Sequence, residues 1–235
     1  MMDLQNVASE LFESIRAATA DGPGVTRESF GPGEEKALHI LEQYAHTLGL
    51  SCERDALQNL WIRRVDEANA DQPCVIIGSH ADSVPVGGNY DGLAGIVSGM
   101  LILHELQRTE TKTPRPVRVL AMRGEESAWY GKAYIGSLAL LGKLDARTLQ
   151  SQNRDGSRTL GQAMAASGAE IRLIESGQAW LQPSSIAAYL ELHIEQGPVM
   201  VARDWPVAAV TGIRGNIRHQ RIRCIGEAGH SGAVP

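Results

Sequence analysis

The sequence predicts an α/β protein in which helices cover both faces of a central sheet. Three short apolar runs, at residues 74–78, 117–122 and 186–194, have the continuous hydrophobic character of strands buried on both faces, as in parallel sheets. Residues 92–106 form an apolar stretch of helical length between the first two runs. Strands that alternate with helices in this way are typical of a three-layer α/β/α domain.

The elements before the first buried run follow from local signals. Residues 3–20 have helical apolar spacing, and the Gly22-Pro23-Gly24 turn ends that helix. Residues 34–48 predict a second, amphipathic helix, which Gly49 ends. Residues 52–65 then predict two short strands.

The second half of the chain is less regular. Residues 141–185 show weak periodicity and predict helices with connecting loops. Residues 207–212 and 220–225 have strand character. We expect these last two segments to begin a further subdomain.

Composition and charge exclude several classes of protein. With 43% apolar residues and a net charge of −5, the chain predicts a globular protein that does not bind nucleic acid. The scattered cysteines Cys52, Cys74 and Cys224 predict neither a disulfide framework nor a cysteine-based zinc site. The first residues lack the pattern of a secretory signal, and no apolar run reaches the roughly 18 residues of a membrane span. We therefore expect a cytoplasmic protein with no membrane partner.

The strongest chemical signal is a glycine-rich loop that follows the first buried strand. It contains the strings Gly78-Ser79-His80-Ala81-Asp82 and Gly87-Gly88-Asn89-Tyr90-Asp91-Gly92. A neutral imidazole such as that of His80 and a carboxylate such as that of Asp91 are ordinary ligands of catalytic zinc or a similar ion. Asp82 is well placed to hold the other ring nitrogen of His80, which fixes the tautomer of a metal-bound histidine.

Two further strand ends carry residues of the same type. Glu125 and Glu126 follow the second strand, at the edge where α/β folds place their ligands. Alternation along the third strand puts Glu191 and His193 on one face. Taken singly, the glutamate pair also fits a solvated acidic turn, and the histidine also fits a hydrogen-bonded core residue. Their convergence favours a metal site, because a cation offsets the cost of burying carboxylates.

Four strings in the chain together resemble a known family: GSHADSVPVGGNYDGLAG, RGEESAWYG, LHIEQGPV and GEAGHSGAVP. Their order and spacing are similar to those of metal-dependent amidases, the N-carbamoyl-L-amino-acid hydrolases and allantoate amidohydrolases of the M20-type aminopeptidase/carboxypeptidase clan. The resemblance implies a zinc-aminopeptidase-like catalytic domain over residues 1–211. It also implies the start of a smaller α+β lid and dimerisation domain over residues 212–235.

The resemblance implies a site with two divalent metal ions, zinc or manganese, with cobalt and nickel as alternatives. Their ligands would be His80, Asp91, Glu126 and His193. Asp91 would bridge the two ions. Glu125 would be the general base that takes a proton from the bridging water.

Three more residues receive roles from the resemblance. Asp82 would orient the first histidine ligand, and Gln196 would lie near the substrate. His230 would bind and polarise the scissile carbonyl across a dimer interface. This chain has Ala233-Val234-Pro235 where members of the family usually carry Thr-Thr-Pro.

The resemblance implies hydrolysis of the carbamoyl C–N bond of an N-carbamoyl-L-amino acid, with release of ammonia and carbon dioxide. Allantoate and β-ureidopropionate are alternative substrates, and a peptidase of the wider clan is a less favoured reading. The full-length protein would be a homodimer that acts on a small molecule. A different class of function is an inactive metal-binding fragment. In the family, a last histidine ligand and a substrate-binding arginine come from a segment that we expect beyond residue 235.

Overall fold

The computed structural model describes residues 3–67, 69–212 and 223. The chain divides into two compact units, Met1–Ile194 and Glu195–Pro235. The boundary predicted after residue 211 lies inside the second unit and stays a prediction. Within the described ranges, no helix combines the length and the apolar character that crossing a membrane requires.

The first unit contains seven α-helices and seven strands among its described residues. The helices are α1 (Leu4–Thr19), α2 (Pro32–Thr47), α3 (Leu93–Arg108), α4 (Ser127–Tyr130), α5 (Ile135–Leu140), α6 (Leu160–Ala166) and α7 (Ile171–Ser176). The strands are β1 (Ala20–Asp21), β2 (Gly24–Val25), β3 (Leu50–Arg54), β4 (Leu60–Arg64), β5 (Cys74–His80), β6 (Val117–Met122) and β7 (Ile186–Leu190). Two 3₁₀ helices, Ala146–Gln150 and Pro183–Ser185, lie in the predicted helix-and-loop region. The second unit contains α8 (Val199–Ala202).

Five of the strands form one mixed sheet in the order β3-β4-β6-β5-β7. Strand β5 pairs in parallel with β6 on one side and with β7 on the other. Strands β3, β4 and β6 pair in antiparallel register. The three predicted buried runs are therefore the three parallel strands, and the predicted strand pair at 52–65 is the antiparallel extension of the sheet.

The two faces of the sheet carry separate hydrophobic clusters, which confirms the predicted three layers. Successive residues of a strand point to opposite faces. On β5, Ile77 belongs to the cluster that contains apolar residues of α1, α2 and α3, while Ile76 belongs to the cluster that contains residues of α5, α6 and α7. Val119 and Leu120 repeat this division on β6.

The strand predicted at residues 186–194 is shorter and more exposed than the sequence indicates. Regular pairing ends at Leu190, and the side chains of Tyr189 and Leu190 are 42% and 56% exposed. Because β7 pairs with β5 alone among the described strands, it lies at the edge of the sheet and lacks the packing of a doubly covered strand. The prediction of a buried strand is therefore wrong here.

The strand predicted at residues 207–212 is also wrong, because these residues have no regular secondary structure. Strand character in the sequence does not suffice without a partner that supplies hydrogen bonds. The strand predicted at 220–225 lies outside the described residues, apart from Arg223.

Candidate active site

The candidate residues meet at one edge of the sheet because three parallel strands end there. His80 is the last residue of β5, Glu125 and Glu126 follow β6, and Glu191 and His193 follow β7. The carboxyl ends of parallel strands are the usual ligand-binding edge of α/β folds. The structure thus brings together side chains that lie more than a hundred residues apart in the chain.

Asp91 lies between two histidines. Its Oδ1 atom is 3.8 Å from Nε2 of His80 and 3.8 Å from Nε2 of His193. The side chain of His80 is buried, whereas that of His193 is about half exposed. Two imidazole nitrogens therefore face one carboxylate oxygen, which is the donor chemistry of a divalent-metal site.

Asp82 is fully buried and connects the histidine to the acidic loop. Its Oδ1 atom is 3.3 Å from Nδ1 of His80, and the backbone N–H groups of Glu125 and Glu126 each donate to its carboxylate at 3.0 Å. Ser29 donates its hydroxyl to Oδ2. Burial opposes ionisation of Asp82, but these hydrogen bonds and the charge of His80 outweigh it and lower its pKa. Asp82 thus contacts His80 and also fixes the start of the glutamate loop.

Glu125 lines a cavity of about 360 Å³ next to His80 and Glu191. The rest of the cavity wall is mostly apolar, with side chains from the faces of β5, β6 and β7. Burial, together with the negative charges of Asp82 and Glu191, raises the pKa of Glu125 to about 7, against the opposing effect of His80. A carboxyl group that titrates near neutral pH can both accept and return a proton under physiological conditions.

The same cluster perturbs the two neighbouring groups. Burial disfavours the charged form of His80, but its hydrogen bond to Asp82 and the charges of Asp82 and Glu125 outweigh this effect and raise its pKa to about 9. Burial raises the pKa of Glu126, and the charges of Asp82 and Asp91 add to the increase. An acidic, partly desolvated cluster of this kind favours the binding of cations.

Sequence reasoning missed a second set of residues that supports the glutamate loop. Arg123 and Glu34 form a buried ion pair, with 2.6 Å between Nε and Oε2. Glu34 also accepts hydrogen bonds from the backbone N–H groups of Phe30 and Gly124. The side chain of Asn59 accepts the N–H of Arg123 at 3.1 Å. The position of Arg123 next to the glutamate pair is the one sequence signal that could have indicated this role.

Sequence reasoning also missed Arg27, whose side chain donates hydrogen bonds to the loop between β5 and α3. Its guanidinium donates to the carbonyl oxygen of Ala81 at 2.7 Å and to Oδ1 of Asn89 at 3.2 Å. Burial lowers the pKa of Arg27 to about 10, while the charges of Asp82 and Asp91 oppose the decrease. No local pattern around Arg27 in the sequence indicates this contact.

Two further predicted site residues come after Ile194 in the chain. Gln196 belongs to the second compact unit and has a left-handed backbone conformation, with φ of 56°. His230 lies outside the described residues. Their predicted roles at the substrate stay predictions.

The candidate site lies in a segment that matches a known protein family. Residues 76–219 match the profile of peptidase family M20/M25/M40. The chain belongs to this family. The matched segment contains the candidate site residues from His80 to His193 and the loops that follow β5, β6 and β7.

Named relatives of this M20 protein include an amidohydrolase and a probable deiminase. The chain is 37% identical over 235 residues to the N-carbamoyl-L-amino acid amidohydrolase of Geobacillus stearothermophilus, covering 100% of this chain and 56% of that protein. It is 32% identical over 223 residues to a probable allantoate deiminase of Oryza sativa subsp. japonica, covering 92% of this chain and 44% of that protein. The chain spans about half the length of the curated relatives it matches.

A solved structure supports the fold. The crystal structure of a hydantoinase/carbamoylase family amidase from Burkholderia ambifaria superposes with a TM-score of 0.73 at 30% sequence identity. The similarity covers 86% of this chain and 48% of that one. The mixed sheet between helical layers is therefore the M20 catalytic architecture.

The M20 family is generally metal-dependent, and the donor set at the three strand ends fits a divalent ion chemically. The Nε2 atoms of His80 and His193 each lie 3.8 Å from Oδ1 of Asp91. Over residues 3–67 and 69–212, however, no three His, Cys, Asp or Glu side chains are close enough together to form a ready-made metal cage.

Proposed function

We propose that this M20 protein is a metal-dependent amidohydrolase that cleaves the carbamoyl C–N bond of N-carbamoyl-L-amino acids. The observation that carries the proposal is Glu125, a half-buried carboxyl with a pKa near 7 in the same cavity wall as His80. A general base works best when its pKa is close to the working pH. The name and 37% identity of the Geobacillus relative support the carbamoyl substrate.

The metal proposal assigns ligands by donor chemistry. His80, Asp91 and His193 would hold one divalent ion, and Asp91 with Glu126 would contribute to a second, zinc or manganese in each case. A bound ion of this kind polarises a carbonyl oxygen and lowers the pKa of a coordinated water. Asp82 keeps the Nδ1 side of His80 engaged, so that Nε2 stays directed toward Asp91.

The remaining steps use the side chains of this chain. Ionised Glu125 accepts a proton from the attacking water as the oxygen adds to the ureido carbonyl. The same carboxyl then donates that proton to the nitrogen of the breaking C–N bond, which restores the ionised base. The backbone N–H groups of Glu125 and Glu126 are already used by Asp82, so these two donors serve to position the loop and not to bind the substrate oxygen.

Two alternatives rest on particular observations. Allantoate carries the same ureido bond, and the rice relative named as a probable allantoate deiminase supports that substrate; β-ureidopropionate is a third choice on chemical grounds alone. An inactive metal-binding fragment remains the alternative of another class, because the chain spans about half the length of its relatives. We also propose, from the sequence resemblance, that the full-length protein acts as a homodimer.

Ammonia release separates these possibilities. The chain is incubated with zinc or manganese and with N-carbamoyl-L-amino acids, allantoate or β-ureidopropionate in turn. We expect the fastest release from N-carbamoyl-L-amino acids, and a decrease in kcat of at least about 100-fold for Glu125→Gln, as for loss of a general base. Glu175→Gln, an exposed glutamate on α7, is the matched control and keeps full activity.

Retention of activity by the Glu125→Gln protein would show that the base is assigned wrongly. A folded chain that binds metal but hydrolyses none of the three substrates would favour the inactive fragment.

A further inference from the structure

Arg27 is fully buried in the segment between β2 and α2, and its guanidinium contacts both ends of the loop that joins β5 to α3. At the start of the loop, Nε donates to the carbonyl oxygen of Ala81 at 2.7 Å. At the end of the loop, Nη1 donates to Oδ1 of Asn89 at 3.2 Å, and Nη2 lies 3.4 Å from the carbonyl oxygen of Asp91. Ala81 directly follows His80, so one side chain connects the backbone beside both proposed ligands.

The backbone of Arg27 strengthens the same connection. Its N–H donates to Oγ of Ser83 at 3.0 Å, and its carbonyl accepts the N–H of Ser83 at 2.9 Å. On the other side, the amide group of Asn89 donates to the carbonyl oxygen of Phe12 in α1 at 3.0 Å. Arg27 therefore anchors the loop to the N-terminal layer of the domain through contacts near its start and near its end.

The chemistry of these contacts requires an arginine. The guanidinium donates to the backbone carbonyl oxygens of Ala81, Asn89 and Asp91 and to the side-chain amide oxygen of Asn89. A lysine carries the same charge, but its single ammonium on a flexible chain does not span acceptors at both ends of the loop. The nearby carboxylates of Asp82 and Asp91 balance the buried charge.

We propose that Arg27 is a positioning residue that sets the spacing of His80 and Asp91 for a divalent ion by tying together both ends of the loop 81–91. This inference rests on the proposed function in one respect, that the two residues bind a metal. The tie itself is a property of the apoprotein and is measured without metal. Arg27 acts through the loop and does not contact the reacting atoms.

The test combines hydrogen exchange with cobalt binding, on the 235-residue chain. Hydrogen–deuterium exchange of the metal-free protein is compared for wild type, Arg27→Lys and Arg27→Met. Cobalt(II) affinity is then measured by calorimetry and by the ligand-field spectrum. Arg64→Lys is the matched control, because Arg64 is also buried and also donates to backbone carbonyls, those of Leu106 and Thr111, away from the loop.

We expect both Arg27 variants to exchange faster over residues 81–93 and to bind cobalt about 10–100-fold more weakly, the usual effect of losing an outer-shell partner. Arg27→Lys keeps the positive charge but does not restore cobalt affinity, because the loop is held by hydrogen bonds at both of its ends and not by the charge alone. The Arg64→Lys control exchanges faster near residues 106–111 only and keeps its cobalt affinity. If the Arg27 variants do not fold, Asn89→Ala is used in their place. It removes one acceptor of Arg27 and keeps the buried charge beside Asp82 and Asp91, so we expect a smaller change in the same direction.

Three results would overturn the proposal. The first is wild-type cobalt affinity in Arg27→Lys. The second is wild-type cobalt affinity in Arg27→Met although its loop exchanges faster, and the third is an equal loss of cobalt affinity in the Arg64→Lys control. Failure of the proposed function looks different, since the wild type itself would then bind no cobalt. In that case the exchange data still decide whether Arg27 ties the loop.

Discussion

The buried ion pair beneath the glutamate loop yields a quantitative prediction. Arg123 and Glu34 are 1% and 0% exposed, and the guanidinium of Arg123 also lies 3.0 Å from the half-exposed carboxylate of Glu35. Arg123→Met leaves Glu34 buried without its cation, which we expect to cost about 3–5 kcal/mol in the free energy of unfolding. Glu34→Gln costs less, about 1.5–3 kcal/mol, because Arg123 keeps Glu35 as a partner and loses one charge-assisted hydrogen bond.

Urea unfolding followed by tryptophan fluorescence measures these costs in a double-mutant cycle. The double variant is expected to cost about 0.5–3 kcal/mol less than the sum of the two single variants, the range found for residues in one hydrogen-bond or salt-bridge network. Burial raises the pKa of Glu34 to about 7, even though Arg123 opposes the increase. The coupling is therefore larger at pH 8, where Glu34 is mainly ionised, than at pH 6.

The pair formed by Arg16 and Glu13 on α1 is the matched control. Its atoms are 3.3 Å apart, and its side chains are 63% and 64% exposed. Solvent-accessible pairs contribute little, so we expect a coupling below about 1 kcal/mol. Costs at Glu34 and Arg123 that add within about 0.5 kcal/mol would refute the reasoning, because independent sites behave in that way.

Three further predictions concern the loops themselves. Gly92→Ala is expected to lower stability by about 2 kcal/mol or more in thermal unfolding, because φ is +71° and the added Cβ atom would clash with the carbonyl oxygen of His80. Gly88→Ala, which meets no atom within 4 Å, is the near-neutral control. The hydrolysis rate is expected to rise as pH increases through about 7, since Glu125 acts in its ionised form; a rate that falls over this range in a pH–rate profile contradicts the assignment. Asp82→Asn is expected to be less stable than wild type at pH 7. Because folding lowers the pKa of Asp82 from 3.8, this difference in stability shrinks as the pH falls below 3.8. Equal stability of the two proteins in urea at pH 7 would contradict this.

Much of the fold follows from the sequence because its signals are local. The spacing of Val7, Leu11 and Ile15 predicts a helix with one apolar face, and all three are buried in the structure. The apolar runs at 74–78 and 117–122 predict the two central strands. Because these strands are parallel, the same reasoning places His80 and the glutamate pair at one edge.

The features that the sequence did not reveal depend on contacts between distant parts of the chain. Glu34 and Arg123 are 89 residues apart, and no local sequence pattern around either residue indicates that they form an ion pair. The contact between Arg27 and the loop 81–91 was missed for the same reason, since Arg27 and Ala81 are 54 residues apart. The exposure of Tyr189 could not be predicted in this way. An apolar run indicates a strand buried on both faces, but the burial of β7 depends on which other elements pack against it.

Metal binding is the most direct test of the central claim that the three strand ends form a divalent-metal site. The chain is loaded with zinc or manganese, excess ion is removed, and metal per folded chain is measured by mass spectrometry for wild type and Asp91→Asn. We predict retained metal in the wild type and its loss in the variant, because the carboxylate of Asp91 faces both His80 and His193. A folded wild type that retains no ion, or an Asp91→Asn protein that retains as much, would contradict the account.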